Sequence, residues 1–314
     1  MNKNIIFMGT GPFALCALEG IYESLGENDI LSVYTKESKP SGRGMKQKDG
    51  AVALFAKEKG LHLYQPHTLR TEESRNEFLS IGADIAIVAS YGLILPDYII
   101  HGPKLGCVNI HASLLPKYRG AAPINRVILN GEDKTGVTIM QMDEGLDTGD
   151  MLATRETEIS PDENCGDLFD RLALMGKEMI LEILPKLYNK EVVPVPQDHE
   201  NSSYAAKITS EDQKINFNES TDKVLCRIRG LSPVPCAFCR AEKDGKIIKI
   251  YSASKAETSP EGKAGEVVAV KPQVLVKTAD GAIALGTIQP EGKGRMSASD
   301  AVNGRRMNIG DLLL

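Results

Sequence analysis

The sequence predicts an α/β protein in which a doubly wound, mainly parallel sheet is followed by a small β-barrel, and two observations carry that prediction. Through the first 190 residues, short Val- and Ile-rich runs alternate with stretches whose apolar residues recur at helical spacing, as βα units do. From residue 206 onward, five short β-rich runs are separated mostly by turn dipeptides, as in a small barrel. A chain of 314 residues accommodates two domains of ordinary size, expected over 1–190 and 206–314 with a linker over 191–205.

The first apolar run, residues 4–8, ends in Gly9-Thr10-Gly11-Pro12-Phe13-Ala14, after which Leu15, Leu18, Ile21 and Leu25 repeat at helical spacing. That is strand, glycine turn, helix. The turn has the outline of a dinucleotide fingerprint, which would suit an NAD-dependent oxidoreductase. Against this, Pro12 removes an amide, and the next strand, residues 30–35, is followed by Lys36 where an acidic ribose ligand belongs. The turn is expected to serve strand–helix packing.

Residues 36–48 carry Lys36, Lys39, Arg43, Lys46 and Lys48 against Glu37 alone, with Pro40, Gly42 and Gly44 opposing regular structure. This reads as a basic loop suited to phosphate contact. The alternation resumes with a helix over 51–59, a strand over 61–64, a helix over 72–81 and a strand over 85–90. Tyr91 to Pro96, including Leu93, Ile94 and Leu95, then forms an apolar loop that could flank a flat heterocycle.

The strand beginning at Cys107 places Asn109 and His111 two residues apart, hence on one face. Ser113-Leu114-Leu115-Pro116 ends it, because Pro116 lacks a backbone donor and restricts its neighbour. Lys117, Tyr118 and Arg119 are expected to line the exit. Ligands of open α/β sheets gather beyond the carboxyl ends of the strands, so a small-molecule site is expected here. After a helix around 124–129 and a strand over 136–142, residues 143–150 hold four carboxylates, those of Asp143, Glu144, Asp147 and Asp150. The calcium-loop spacing is absent, and one of these groups orienting or deprotonating something near His111 is the better reading. The spacing does not select which.

A strand over 151–159 is followed by Leu168, Leu172, Met175, Met179, Ile183 and Leu187, an amphipathic helix that covers the sheet. In the second part, a helix over 220–231 precedes β-rich runs at 237–241, 247–252, 265–270, 274–278 and 283–288. Ser297 to Asp300 has the form of a capping box opening a short helix that Gly304 ends. Cys236 and Cys239, with Cys226 upstream, lack a fourth zinc-type ligand nearby, and no metal is expected.

Apolar residues at 42% and charged residues at 25% are those of a soluble globular protein. No apolar run reaches the ~18 to 20 residues of a membrane span, and the first residues lack a signal peptide's features, so a cytoplasmic protein with no membrane partner is expected. Six cysteines at irregular spacing fit reduced thiols. A net charge of −5 argues against bulk polyanion binding, yet residues 206–314 carry 17 Lys and Arg against 13 Asp and Glu, while residues 1–205 carry 20 against 29. The asymmetry permits nucleic-acid contact by the second domain.

Taken together, Asn109-x-His111, the run Ser113 to Gly120 and the acidic run with Asp147 inside it resemble the folate-dependent formyltransferases, and the likeness extends over nearly the whole chain. It takes in Gly9-Thr10-Gly11, Lys39 to Gly44, the barrel and Gln289 to Lys293. The resemblance implies a Rossmann-like catalytic domain and an OB-like barrel. It implies a catalytic trio of Asn109, His111 and Asp147, and a folate held by Leu93, Ile94, Leu95, Ser113, Leu114, Leu115, Pro116 and Asp143. It further implies transfer of a formyl group from 10-formyltetrahydrofolate to the amine of initiator methionyl-tRNA, with Lys39, Arg43, Lys46 and the barrel holding tRNA and no metal taking part; a monomer is expected, although nothing in the sequence specifies the oligomeric state. One departure is Leu231 to Cys236, where family members usually carry an aromatic residue in a Pro-x-Pro segment; this chain has no Trp at all.

The residue types agree with that chemistry. An amine attacking a formyl carbonyl develops an oxyanion, to which the Asn109 amide and a protonated His111 can donate. A free imidazole titrates near ~6.5, and a neighbouring carboxylate favours its protonated form. The same trio would serve a sugar-nucleotide formyltransferase or a formyl-folate hydrolase. A tRNA-binding module with an inactive first half is a reading from a different class.

Overall fold

The computed structural model describes residues 3–41 and 46–314, which divide into two compact units. The first runs to Ala121 and adds Gly136–Thr157 and Phe169–Ala205; the second holds Ala122–Thr135, Glu158–Leu168 and Ala206–Leu314. Arg43 lies outside the described residues, as do the side chains of Lys39 and Lys46.

Along the first part of the chain come β1 (Ile5–Gly9), α1 (Gly11–Leu25), β2 (Ile30–Tyr34), β3 (Lys39–Ser41), β4 (Lys46–Lys48), α2 (Ala51–Glu58), β5 (Leu63–Tyr64), α3 (Glu72–Ser80) and β6 (Ile85–Ala89). They continue with α4 (Asp97–Ile100), β7 (Cys107–His111), β8 (Arg119–Gly120), α5 (Pro123–Leu129), β9 (Lys134–Gln141), β10 (Met151–Glu158), α6 (Cys165–Tyr188) and β11 (Tyr204–Ala205). The large sheet has the order β10-β9-β7-β6-β1-β2-β5. Pairing is parallel from β7 through β6, β1 and β2 to β5, and antiparallel between β7 and β9. Every residue of β1, β6 and β7 is buried, which is why they read as continuous apolar runs. From β1 the chain winds outward to β2 and β5, then returns to β6 on the other side. That reversal leaves a crevice at the carboxyl ends of β1 and β6, beside β7.

Packing at the crevice explains the glycine turn. A Cβ on Gly9 would sit 2.5 Å from the Ala14 Cβ and 3.0 Å from the Ala89 carbonyl, so only glycine lets β1, α1 and β6 close together. Thr10 Oγ1 donates to the Tyr91 carbonyl at 3.4 Å, tying this turn to the loop after β6.

The basic segment departs from the expectation of no regular structure. β3 and β4 pair antiparallel, Lys39 opposite Lys48, and in a two-stranded ribbon Pro40 can turn its missing donor to solvent. The 191–205 stretch does more than join domains. Val195 bridges Met151, Tyr204 and Ala205 pair in parallel with Arg119 and Gly120, and Gln197 is buried.

The second unit contains α5 and, beyond it, α7 (Thr221–Leu231), β12 (Ala237–Arg240), β13 (Ile247–Ile250), β14 (Ala253–Lys255), β15 (Val267–Ala269), β16 (Val274–Lys277), β17 (Ala282–Leu285), β18 (Thr287–Pro290), β19 (Met296–Ser297) and α8 (Ala298–Asn303). The strands form two four-stranded antiparallel sheets, β12-β13-β18-β19 and β14-β17-β16-β15, around one apolar core that also takes in Val224, Ile228 and Leu231 of α7. The run expected as one strand over 283–288 is two, broken at Gly286, where a Cβ would meet Ser252 Oγ at 2.5 Å. Ser297 caps α8 as its sequence suggests, its hydroxyl accepting the Asp300 N–H at 3.0 Å.

Among the described residues, no helix is long and apolar enough to cross a membrane, and no group of three His, Cys, Asp or Glu side chains is arranged to hold a metal.

Candidate active site

β7 delivers Asn109 and His111 to its carboxyl end, both nearly buried. Opposite them on β9 stand Met140 and Thr138. Thr138, fully buried, fixes the polar loop after β7: its Oγ1 donates to the Ser113 carbonyl at 2.7 Å and accepts the Leu115 N–H at 3.2 Å. Ser113 Oγ in turn donates to the Lys117 carbonyl at 2.7 Å. The loop is therefore a structured cradle.

Asp147 completes the group. Its Oδ1 lies 3.5 Å from Asn109 Nδ2, and its Oδ2 lies 3.7 Å from His111 Nδ1. Oδ2 also accepts the Gly120 N–H at 2.8 Å. The first two separations exceed an ordinary hydrogen bond, so the three side chains face one another without being locked in short bonds. Sites of this kind tighten around substrate. His111 Nε2 lies 3.0 Å from the Tyr118 carbonyl oxygen. A carbonyl only accepts, so Nε2 carries a proton and Nδ1 is the nitrogen that faces Asp147.

The acidic loop divides its labour. Asp143 Oδ1 accepts the Gly145 N–H at 3.1 Å and the Thr148 hydroxyl at 2.7 Å, closing the turn on itself. Glu144 is exposed. Of the four carboxylates, Asp147 is the one brought to Asn109 and His111, in a left-handed conformation at φ +53° that a non-glycine residue rarely adopts. The loop re-enters β10 through Gly149, where a Cβ would fall 2.0 Å from the Gln141 carbonyl.

Of the apolar residues expected beside a heterocycle, Ile94 is 76% exposed, Leu93 half-buried, and Leu95 buried with Tyr91 and Ile99 in the core. Leu114 and Pro116 are half-buried and Leu115 is buried. Arg119, expected at the exit, is 2% exposed instead. Its Nε and Nη2 donate to Gln197 Oε1 at 3.1 and 2.7 Å, and Nη2 also reaches His199 Nδ1 at 3.1 Å. Gln197 Nε2 donates to the carbonyls of Asp147 and Gly149 at 2.9 and 2.7 Å. Nothing in the spacing of 191–205 marks Gln197; its low apolar content reads as a linker.

With this geometry in place, the similarities of the chain are informative. Residues 3–184 match the formyl transferase family, and residues 207–306 match the formyl transferase C-terminal domain. A methionyl-tRNA formyltransferase from Alkaliphilus oremlandii is 40% identical over 310 residues, covering 98% of this chain and 99% of its own. One from Dictyoglomus thermophilum is 41% identical over 312 residues, covering 98% of each. Among solved structures, the N-formyltransferase of Helicobacter canadensis, in complex with folinic acid and dTDP-3-aminofucose, superposes with a TM-score of 0.67 at 20% identity, over 90% of this chain and 98% of that one. HypX from Aquifex aeolicus, in complex with tetrahydrofolic acid, gives 0.65 at 19% identity over 97% of this chain and 47% of that one. At those identities the structures share the fold.

Proposed function

The chain belongs to the formyl transferase family, and from that premise we propose that it formylates the amino group of methionyl-tRNA, with 10-formyltetrahydrofolate as the donor. The observation that carries the chemistry is the convergence of Asn109 and His111 on the two oxygens of Asp147, at 3.5 and 3.7 Å. What supports the acceptor is identity of 40% or more with methionyl-tRNA formyltransferases along both units of the chain.

In the reaction the amine nitrogen bonds to the formyl carbon, the bond from that carbon to the folate nitrogen breaks, and one proton leaves the amine while another reaches the folate nitrogen. The Asn109 Nδ2–H and a proton on His111 Nδ1 stabilise the oxyanion formed on the way. Asp147, whose Oδ2 is already bonded to Gly120 N–H, takes the amine proton directly or through one water. The folate ring system is held by the Ser113–Pro116 cradle and by the exposed Ile94 side chain at neighbouring parallel strand ends. Lys39, Arg43 and Lys46 bear on tRNA phosphates.

The test is formyl transfer from 10-formyltetrahydrofolate to methionyl-tRNA, with free-folate hydrolysis and sugar-nucleotide formylation as parallel assays. Native protein transfers to tRNA, and His111→Ala, matched for folding, loses about 100- to 1,000-fold in turnover, the cost of one oxyanion donor. Hydrolysis or sugar formylation by native protein without tRNA formylation would keep the site and replace the acceptor.

A further inference from the structure

Asp147 holds a backbone conformation that costs an L-residue about 1 kcal/mol or more, so something must hold it there. Its side chain is fixed at one oxygen by Gly120, and its main chain is fixed from 50 residues away by Gln197. The Gln197 amide is 5% exposed and fully used: both Nε2 protons go to the carbonyls of Asp147 and Gly149, and Oε1 accepts two N–H bonds from Arg119. The direction of that amide is dictated. A guanidinium only donates, so Oε1 must face Arg119 and Nε2 must face the loop; a flipped amide would set donors against donors and an oxygen against two carbonyls. Arg119 is itself 2% exposed, with the second proton of Nη2 directed at His199 Nδ1.

We infer that Gln197, keyed by Arg119, is the positioning residue that holds Asp147 in reach of Asn109 and His111. This rests on the catalytic reading of Asp147 given above. The polar atoms of the Gln197 side chain are all spent on Arg119 and the loop, so it acts through the carbonyls of Asp147 and Gly149. Its loss therefore lowers turnover more than it alters binding, because misplacing a reacting group by about 1 Å costs about 100-fold in rate.

Two variants separate placement from folding. Gln197→Glu keeps a partner for Arg119 but replaces the Nε2 donors with an oxygen facing two carbonyls. The double variant Arg119→Met with Gln197→Met removes the guanidinium and the amide together for apolar side chains of similar length, so that neither is left buried without the other, while the carbonyls of Asp147 and Gly149 lose their donor. Both are compared with native protein and Asp147→Asn for kcat, for KM of methionyl-tRNA and of 10-formyltetrahydrofolate, and for amide hydrogen exchange over residues 143–150. The expected result is a fall in kcat of about 100-fold, each KM within about threefold, and faster exchange confined to 143–150 in whichever variants fold. A kcat within twofold of native in a folded variant, or exchange unchanged in that loop, overturns the inference. If Asp147→Asn alone keeps native turnover, the catalytic reading falls first, and the exchange data still decide whether Gln197 holds the loop.

Discussion

The Tyr118 carbonyl accepts a bond from His111 Nε2 at 3.0 Å, and that single contact decides which tautomer the neutral imidazole adopts. We predict that the neutral ring carries its proton on Nε2, readable in nitrogen-15 shifts and two-bond couplings of a histidine-labelled sample. A neutral ring protonated on Nδ1 would break the assignment of Nδ1 as the working atom. A second prediction concerns Thr138, whose one hydroxyl serves both the Ser113 carbonyl and the Leu115 N–H. Thr138→Val keeps the shape and leaves both groups short of a partner. It should lower stability by about 1 to 3 kcal/mol in urea titration and raise the KM for folate more than that for tRNA. At this scale part of the site was legible in the sequence: strand periodicity alone sets Asn109 and His111 on one face. Choosing Asp147 among four carboxylates needed either the family resemblance or the fold, because Asp143 closes its own turn and only the three-dimensional path of the loop sets them apart. Gln197 and the buried Arg119 were illegible, since each is polar in a polar stretch and takes meaning from a partner 78 positions distant.

Among the elements, α6 and β7 meet where Gly176 faces Ile110, and a Cβ at 176 would lie 2.8 Å from Ile110 Cγ2. That methyl branches directly from the Ile110 Cβ and has little freedom to yield. Gly176→Ala should thus lose about 1 to 3 kcal/mol by overpacking, against a helix-propensity gain of at most about 1 kcal/mol. Because Ile110 stands between Asn109 and His111, turnover should fall with stability, whereas the same change at exposed Gly245 should alter turnover little. In the second unit, Arg126 of α5 grips Asp212 with two bonds of 2.7 and 3.0 Å, and the Thr209 N–H and hydroxyl add two more at 2.8 Å. The Arg126 bonds first, and those from Thr209 after them, lower the Asp212 carboxyl to about 2. A folded value below the unfolded ~3.9 means that the pair stabilises above about pH 4 and that its contribution is lost as pH falls through the folded value. Acid unfolding of Asp212→Asn should therefore begin from lower stability at neutral pH and show a shallower loss between about pH 4 and 2. A native-like slope would show that the pair adds nothing. Helical periodicity foretold α5 and α7, but not that they pack together, Asn125 Nδ2 donating to the Gly230 carbonyl at 2.7 Å. Nor did composition foretell the β3–β4 ribbon, because glycine and proline weaken long strands and are tolerated in a three-residue edge.

For the whole molecule, the division into units was only partly visible in the sequence. A composition shift near residue 206 marks where the strands become short and antiparallel, while residues 122–135 and 158–168 join the second unit through packing that no local pattern records. Charge, by contrast, is fully written in the sequence. The chain is net −5, yet residues 206–314 carry 17 basic against 13 acidic residues and the Lys36–Lys48 segment five against one. A net-negative protein that acts on a polyanion must confine its attraction to such regions, and attraction of that kind is sensitive to salt. Each phosphate neutralised by Lys or Arg contributes a slope of about −0.7 to −0.9 to the logarithm of affinity against the logarithm of salt concentration in nucleic acids, so three such contacts predict about a 20- to 40-fold loss over a fourfold rise in salt. The KM for methionyl-tRNA should follow that slope. Arg43→Ala should reduce it by about one phosphate's worth, and the KM for folate should stay within about threefold, because a phosphate contact positions only the tRNA. Steady-state kinetics in 50 to 200 mM potassium chloride would measure both slopes on the same preparation. Parallel slopes for the two substrates would mean that salt acts on the enzyme itself, and the assignment of the basic segment to tRNA would fall.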